Sequence, residues 1–372
     1  MTASRWTREA VAALAHGHDS PEMPLIAPDS LSSILPGYDC WDHWPVQEED
    51  GRTAEIAGGI LMLLLTAPIM GDPEARHGHA RIRVMHVRDD QWTDLGNLLP
   101  EGFSPGSREW AGSAFVSAGH DTITLYFTAA GARDEAIESF TQRLFETRAP
   151  LSTEEGMIHI GTWTTPRECV VPDGHVYVND FSHGGVGTIK AFRDPFWFRD
   201  PADDVEYLLF TASLAQSTSA YNGAIGKALR GPAGNWRLDG PLIDADGVNN
   251  ELERPHIVLH GGLYYCFWST QRKVFDPDGP VGPTGLYGMV ADRMAGPWRP
   301  VNGTGLVLAN PLAAPFQTFS WLVLDDLSVL SFVDMPGLLC LPDDPAIARA
   351  HFGGTPAPRC RLRLEGDRSM LA

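Results

Sequence analysis

Residues 263–269 read LYYCFWS and follow the tripeptide His260-Gly261-Gly262, which is typical of a tight turn. An unbroken run of apolar and aromatic residues of this length favours a strand that is buried on both faces. Four further segments have the same character, and the five segments begin roughly 55 to 85 residues apart. The others are residues 59–66 (GILMLLLT), 122–128 (TITLYFT), 206–211 (EYLLFT) and 321–333 (WLVLDDLSVLSFV).

Five units of this kind nearly use up the 372 residues of the chain, so the predicted fold is all-β, a five-bladed β-propeller. No low-complexity linker divides the sequence, and we expect residues 1–372 to form one domain, with residues 1–35 as an N-terminal extension packed on the propeller. A large β-sandwich is the alternative. Residues 7–16 predict a short helix capped by Thr7, and residues 133–146 fit either a helix or a hairpin insertion.

The composition limits the kind of partner. Asp and Glu outnumber Lys and Arg by 47 to 28, which leaves a net charge of −19. Such a surface repels phosphate backbones and anionic lipids, so nucleic acids and membrane surfaces are poor candidates, whereas a neutral polar ligand fits. Five cysteines without a CxxC pair predict packed thiols rather than a disulfide framework or a thiolate zinc site, although Cys340 and Cys360 could pair.

Two apolar stretches bear on localisation. Residues 10–15 are too short for the apolar region of a signal peptide. Residues 57–70 form the longest apolar run, but two glycines, a threonine and a proline interrupt it, which favours a buried strand over a membrane span. We expect a soluble protein in the cytoplasm, or one exported without a cleaved signal.

The first candidate for chemistry is the motif Trp41-Asp42-His43-Trp44-Pro45. Tryptophan faces are good platforms for sugar rings, and a carboxylate between two of them can reach the ring. The alternative is that Asp42 caps a turn before Pro45.

The second candidate is Phe192-Arg193-Asp194-Pro195-Phe196-Trp197, in which the Arg–Asp pair could bind vicinal hydroxyl groups. A structural ion pair at a strand end is the alternative. The tripeptide recurs as Arg199-Asp200-Pro201 in a polar stretch that favours a surface turn, and local sequence alone leaves the choice between the copies open.

The third candidate is Glu251-Leu252-Glu253-Arg254-Pro255-His256. On an extended strand Glu251 and Glu253 point to the same face, and the proximity of two carboxylates raises the pKa of one of them, as a general acid requires. The alternative is a solvated acidic edge with Arg254 as counter-charge.

Together the three motifs suit a retaining glycosidase, which needs a carboxylate nucleophile and a carboxylic acid about 5 Å apart. They belong to three different predicted blades, and loops that converge at the mouth of the propeller could bring them together. Histidine pairs such as His77 and His79 lack an accompanying carboxylate cluster, so neither a metal nor a cofactor is predicted.

These motifs resemble those of glycoside hydrolase family 68, the bacterial levansucrases, inulosucrases and β-fructofuranosidases, and most closely its shorter Gram-negative members. The resemblance runs from about residue 5 to residue 365. Besides the three motifs above, the matching pieces are Arg108-Glu109-Trp110-Ala111-Gly112-Ser113-Ala114, Gly285-Leu286-Tyr287-Gly288 and Phe352-Gly353-Gly354-Thr355.

The resemblance implies a five-bladed propeller with a central funnel-shaped active-site pocket, and sucrose as the substrate with water or sugars as fructosyl acceptors. It implies that Asp42 is the nucleophile, that Glu253 is the acid/base and that Asp194, rather than Asp200, stabilises the transition state. By the same resemblance, the residues that line the sugar subsites are Trp41, Trp110, Arg193, Glu251 and Arg254.

The chain departs from the family pattern at four positions. Ala111 stands where many members have a serine that can hydrogen-bond the nucleophile, and Phe319 replaces a tyrosine near the carboxylates. Gln271 stands at the acceptor-side position that is often His or Arg, although Arg272 beside it makes this alignment ambiguous. Asn250 replaces an aspartate that ligates calcium in Gram-positive members, so no structural calcium is predicted.

We therefore expect a retaining β-fructofuranosidase/fructosyltransferase that forms fructose or short fructo-oligosaccharides from sucrose. A levansucrase that makes long β-2,6 fructan is the alternative within this class. A non-catalytic sugar-binding propeller and a propeller glycosidase acting on other fructosides or on arabinosides are the alternatives outside it.

Overall fold

The described residues of the computed structural model are 3–16, 21–27, 31–181 and 189–372. The chain begins with a short strand, β1 (Ser4–Arg5), and helix α1 (Arg8–Ala12), which continues as a 3-10 turn over Ala13–His16. The Thr7 side chain accepts a hydrogen bond from the Ala10 amide, as an N-cap does. The short helix predicted for residues 7–16 is therefore confirmed.

Five blades of mainly antiparallel strands follow one another along the chain, and the first two are joined into one ten-stranded sheet because Tyr38–Gln47 pairs in parallel with Arg108–Val116. The first contains β2 (Tyr38–Gln47), β3 (Glu55–Ile56), β4 (Gly59–Pro68), β5 (Arg81–Arg88) and β6 (Gln91–Asn97). The second contains β7 (Arg108–Val116), β8 (Thr122–Ala130), β9 (Gln142–Glu154), β10 (Met157–Ile160) and β11 (Arg167–Glu168). The third contains β12 (Phe192–Arg199), β13 (Glu206–Ser213), β14 (Gly223–Arg230) and β15 (Trp236–Asp244).

The last two blades complete the sequence of sheets. The fourth contains β16 (Glu253–His260), β17 (Leu263–Thr270), β18 (Gly285–Ala291), β19 (Arg299–Pro300) and β20 (Leu306–Ala309). The fifth contains β21 (Thr318–Val323), β22 (Ser328–Val333), helix α2 (Pro345–His351), β23 (Thr355–Pro356), β24 (Cys360–Glu365) and β25 (Arg368–Leu371). The first strands of successive blades contact one another, and β21 contacts β2, so these five strands form a closed ring. The predicted five-bladed propeller is confirmed and the β-sandwich is wrong.

The five apolar segments of the sequence form the second strand of each blade: β4, β8, β13, β17, and β22 together with part of β21. A second strand is flanked by strands on both sides and is covered on both faces by the neighbouring blades, which explains its continuous hydrophobicity. In β4, for example, the side chains of Leu61, Met62, Leu63 and Leu64 are fully buried. Residues 133–146 are not helical: they form the loop between β8 and β9 and the start of β9.

The innermost strands share an irregularity that the sequence did not indicate. In each of the five, the register with the second strand shifts, between Cys40 and His43, Trp110 and Gly112, Arg193 and Phe196, Glu253 and His256, and Phe319 and Leu322. Asp194, Arg254 and Ser320 adopt left-handed backbone conformations within these bulges, with φ of 60°, 51° and 60°. A bulge redirects side chains, and here it occurs near the start of every innermost strand.

An ion pair closes the ring between the fifth and the first blade. The guanidinium of Arg349, on α2, donates to both carboxylate oxygens of Asp39 on β2, at 2.8 and 2.6 Å. The adjacent Cys40 amide donates to the carbonyl of Gly354 at 2.8 Å. Because Asp39 is buried, this bidentate pair holds β2 in place only three residues before Asp42.

The described part of residues 1–35 packs on the blades. β1 pairs in parallel with β15, and the Trp6 side chain is buried against Trp268, Phe275 and Tyr287 of the fourth blade. All five cysteines are free thiols, so Cys340 and Cys360 do not pair. Among the described helices, none has the length and apolar character needed to cross a membrane.

Candidate active site

A cavity of about 340 Å³ opens where the innermost strands meet. The three carboxylates and all eight other residues selected from the sequence line it: Asp42, Asp194, Glu253, Trp41, Trp110, Ala111, Arg193, Glu251, Arg254, Gln271 and Phe319. Motifs that are far apart in the chain therefore belong to one site.

The carboxylates are carried by strands, not by converging loops, and on this point the sequence interpretation was wrong. Asp42 lies on β2, Asp194 on β12 and Glu253 at the start of β16, each at or beside the bulge of its innermost strand. The second Arg–Asp copy lies elsewhere. Asp200 accepts a hydrogen bond from the Tyr264 hydroxyl at 2.6 Å, outside the cavity lining.

Arg193 joins two of the acidic groups. Its Nη2 donates to Glu251 Oε2 at 2.9 Å and to Glu253 Oε1 at 2.8 Å, and its Nε lies 3.6 Å from Asp194 Oδ2. Burial disfavours a charged guanidinium, but the three carboxylates more than compensate and raise the pKa of Arg193. Arg193 is thus a permanent cation that sets the spacing of the acidic residues.

Glu253 is a half-buried acid. Its burial raises the pKa of the carboxyl well above the usual value of 4.5; Arg193 opposes this rise, whereas Glu251 and Asp194 add to it. A carboxyl group with a raised pKa keeps its proton to higher pH and can donate it to a leaving group.

Asp194 is held from several sides. Its Oδ2 accepts from the Thr211 hydroxyl at 3.0 Å and from the Arg254 amide at 3.3 Å, and its own amide donates to the Thr128 hydroxyl at 2.9 Å. Burial, and secondarily the charge of Asp42, raises the pKa of Asp194, although Arg193 lowers it. These contacts fix one carboxylate oxygen and leave acceptor capacity on the other.

Asp42 differs from these two residues because its carboxylate makes no hydrogen bond or ion pair with any residue in the described ranges. It lines the cavity together with Ala111, whose methyl side chain cannot donate the hydrogen bond that a serine would. The Asp42 oxygens are therefore available to a ligand.

A 3-10 turn over Pro73–His79 supplies a wall that sequence reasoning missed. Arg76 lies over the Trp41 ring with its guanidinium carbon 5.6 Å from the ring centroid, and the Trp110 indole donates to the His77 carbonyl at 3.3 Å. Desolvation in the cavity, and secondarily the charge of Arg76, lowers the pKa of His77 to about 4, so its imidazole is neutral at neutral pH. The only sequence signal from this turn was the pair His77 and His79, which carries no information about the wall.

Two groups on the side of Gln271 are also unpaired. Neither the Lys273 ammonium nor the Asp334 carboxylate has a hydrogen bond or an ion pair within the described part of the chain, and both line the cavity. Burial raises the pKa of Asp334 to about 6. No sequence motif indicated these two groups, which can bind hydroxyl groups of a second sugar beyond the one at the carboxylates.

The guanidinium of Arg254 is bonded mainly to protein. It donates to the carbonyls of His43 and Ser320 at 2.7 and 3.0 Å and to the Ser320 hydroxyl at 2.8 Å. Arg254 thus ties together the bulges of the first, fourth and fifth blades, although it also lines the cavity.

No group of three or more His, Cys, Asp and Glu residues in the described ranges is arranged to hold a metal ion. Asn250, where a calcium-binding aspartate was considered, accepts a hydrogen bond from the Lys190 ammonium at 2.8 Å.

Comparison with known proteins agrees with this geometry. A family model described as Levansucrase/Invertase matches residues 1–228 and 216–372. A levansucrase of Pseudomonas savastanoi pv. glycinea is 30% identical over 98% of this chain and 93% of its own length, and one of Erwinia amylovora is 31% identical over 89% and 85%. The solved structure of an inulosucrase from Halalkalicoccus jeotgali bound to kestose is 35% identical, with a TM-score of 0.89 over 100% of this chain and 95% of that one.

Proposed function

The chain belongs to the levansucrase/invertase family, glycoside hydrolase family 68, and from this membership we infer that it is a retaining β-fructofuranosidase/fructosyltransferase acting on sucrose. The observation that carries the chemistry is the contrast between two carboxyl groups in one cavity. Asp42 has no hydrogen bond or ion pair within the described residues, whereas Glu253 is half-buried, bonded to Arg193 and has a pKa raised well above its usual value. A nucleophile and a proton donor are the two groups that a retaining mechanism requires.

In the first step, an Asp42 oxygen attacks the anomeric carbon of the fructosyl unit and forms a covalent ester. Glu253 gives its proton to the glycosidic oxygen as the bond to glucose breaks, so glucose leaves as a neutral alcohol. Trp41 and Trp110 supply apolar faces for the sugar.

Asp194 and Arg193 act on the charge that develops in this step. As the ring becomes oxocarbenium-like, its hydroxyl groups become better donors, and the Asp194 carboxylate strengthens its bonds to them. Arg193 keeps Glu251 and Glu253 at a fixed distance while the proton moves.

In the second step, Glu253 is the carboxylate and takes a proton from the incoming acceptor, whose oxygen attacks the anomeric carbon and releases Asp42. Water as acceptor gives fructose; sucrose or a fructo-oligosaccharide as acceptor gives a longer chain. The unpaired Lys273 and Asp334 beside Gln271 provide polar groups for such an acceptor.

We favour fructose and short fructo-oligosaccharides over long fructan as products, because Ala111 and Phe319 lack the hydroxyl groups found at these positions in many members of the family, and Gln271 replaces the His or Arg often found on the acceptor side. A levansucrase that forms β-2,6 polymer is the second candidate. Analysis of the products from sucrose distinguishes the two: abundant polymer with almost no free fructose would refute the preference for short products.

The mechanism is tested with Asp42→Asn and Glu253→Gln, which keep the size of each side chain. Both should reduce glucose release by at least about a thousand-fold, since each removes a reacting group. Glu154→Gln, on the exposed end of β9, is the matched control. Full activity of Asp42→Asn would disprove the nucleophile assignment, and sucrose binding without turnover by the unaltered protein would support a sugar-binding propeller instead.

A further inference from the structure

The Lys190 side chain, just before β12, is surrounded by neutral oxygen atoms. Its Nζ donates to the Ala220 carbonyl at 2.5 Å, to Asn222 Oδ1 at 2.6 Å and to Asn250 Oδ1 at 2.8 Å. These bonds use all three donors of an ammonium group. No carboxylate within the described residues lies within 4 Å of it, so this half-buried charge is solvated by amide and carbonyl oxygens, as a bound metal cation often is.

The position of the ammonium is set by the backbone around it. The Lys190 carbonyl accepts a hydrogen bond from Gln142 Nε2 at 2.8 Å, while Gln142 Oε1 accepts from the Phe192 amide at 3.0 Å. The three oxygens come from the segment between β13 and β14 and from the segment before β16. Lys190 therefore joins the third blade to the entry of the fourth.

Asn250 connects this cation with the active site. Its side chain is fully buried; Oδ1 faces Lys190, and Nδ2 donates to Glu251 Oε1 at 3.2 Å and to the Ile189 carbonyl at 3.0 Å. A carboxamide has one accepting and one donating end, so a cation bound to the oxygen fixes which end faces Glu251. Glu251 Oε2 accepts a hydrogen bond from Arg193, which also donates one to Glu253.

We propose that Lys190 is a positioning residue, an internal cation that orients Asn250 and, through it, the carboxyl pair Glu251–Glu253. The ammonium supplies the positive charge that binds Asn250 Oδ1, which a bound metal ion could otherwise supply, so the chain needs no metal here. The catalytic part of this inference rests on the proposed function, whereas the structural part does not.

The structural part is tested on the unaltered protein by thermal unfolding with EDTA, without additive and with added Ca²⁺. The unfolding midpoint should agree within about 1 °C in the three conditions, because no metal bound to the native state contributes to stability. A midpoint that falls with EDTA and recovers with Ca²⁺ would overturn the proposal, whatever the activity of the protein.

The catalytic part is tested with Lys190→Met. Lys227→Met is the control, because this second lysine is also largely buried but pairs with Asp239 on β15, away from the cavity. In Lys190→Met, we expect kcat for glucose release to fall about ten-fold or more, with KM changed less than about three-fold. We also expect the pH–rate profile to move to higher pH, because the loss of a nearby positive charge raises the pKa of the carboxylates. Values of kcat, KM and the pH profile that match those of Lys227→Met would refute the role.

Two further variants keep the test decisive if Lys190→Met does not fold. Lys190→Ala leaves room for propylammonium, which should restore activity several-fold more than sodium chloride at equal ionic strength; equal effects of the two salts would count against an internal cation. Asn250→Asp keeps an oxygen for Lys190 but has no donor for Glu251. It should also move the pH profile upward, and an unchanged profile would contradict the link through Asn250.

Discussion

The substitution Glu251→Gln tests the electrostatics of the proposed acid directly, because it removes a negative charge and little volume. Arg193 Nη2 bonds to both carboxylates, at 2.9 and 2.8 Å, so the two bonded oxygens are no more than about 5.7 Å apart. At an effective dielectric constant of about 20, unit charges at that distance repel by about 3 kcal/mol, which corresponds to about two pKa units. Because Arg193 neutralises part of this repulsion, we expect the apparent pKa of Glu253 to fall by about one to two units.

The sign of the effect follows from the role of Glu253. The first step needs the protonated form of Glu253. Burial and the charge of Glu251 raise the pKa of this carboxyl, so the protonated form persists to higher pH. Without that charge the acid ionises at lower pH, and the basic limb of kcat/KM for glucose release should move down by the same amount. Initial rates measured from about pH 4 to about pH 9 locate this limb independently of any change in the maximal rate.

Glu154→Gln, which removes an exposed carboxylate far from Arg193, should leave the limb in place. A basic limb in Glu251→Gln that is unchanged, or that moves to higher pH, would show that Glu251 does not raise the pKa of the acid. The reasoning from the Arg193 bridge would then be refuted.

Three further predictions concern stability and products. Arg349→Ala leaves Asp39 as an unpaired buried charge, so urea unfolding should show a loss of about 3 to 5 kcal/mol, and a loss below about 1 kcal/mol would contradict the ring-closing role. Burial raises the pKa of Glu109 to about 7, so the folded state keeps this proton to higher pH than the unfolded state does. The free energy of unfolding should therefore fall by about 3 kcal/mol as the pH rises from about 4.5 to about 7. Urea unfolding at several pH values measures this fall, and Glu109→Gln should abolish it. Gln271→His places an imidazole on the acceptor side and should raise the ratio of fructosyl transfer to hydrolysis. This ratio is the difference between released glucose and free fructose, divided by free fructose. An unchanged ratio would argue against control of the products at this position.

The architecture could be predicted from the order of amino acids, because the second strand of each blade must be apolar on both faces and therefore stands out as a continuous hydrophobic run. The motifs around Asp42, Asp194 and Glu253 also indicated eleven residues of the cavity, because they resemble those of one family. Other lining residues, Arg76, His77, Lys273 and Asp334, were not indicated. Every residue selected in this way lines the same cavity.

How these residues come together depends on contacts that form only in the folded chain. The bulges of the innermost strands, with left-handed backbone at Asp194 and Arg254, arise from pairing with a second strand and have no signature in a local pattern. Two further features also arise from segments that are distant in the chain and become neighbours only when the ring closes. They are the wall formed by Pro73–His79 and the contact of Lys190 with Asn250. Hydrophobic periodicity reports burial along one strand, whereas the positions of charges around a shared cavity depend on contacts between blades. The sequence therefore indicated the effect of Glu251 on Glu253, but the effects of burial, Arg193 and Asp194 on its pKa follow only from the folded chain.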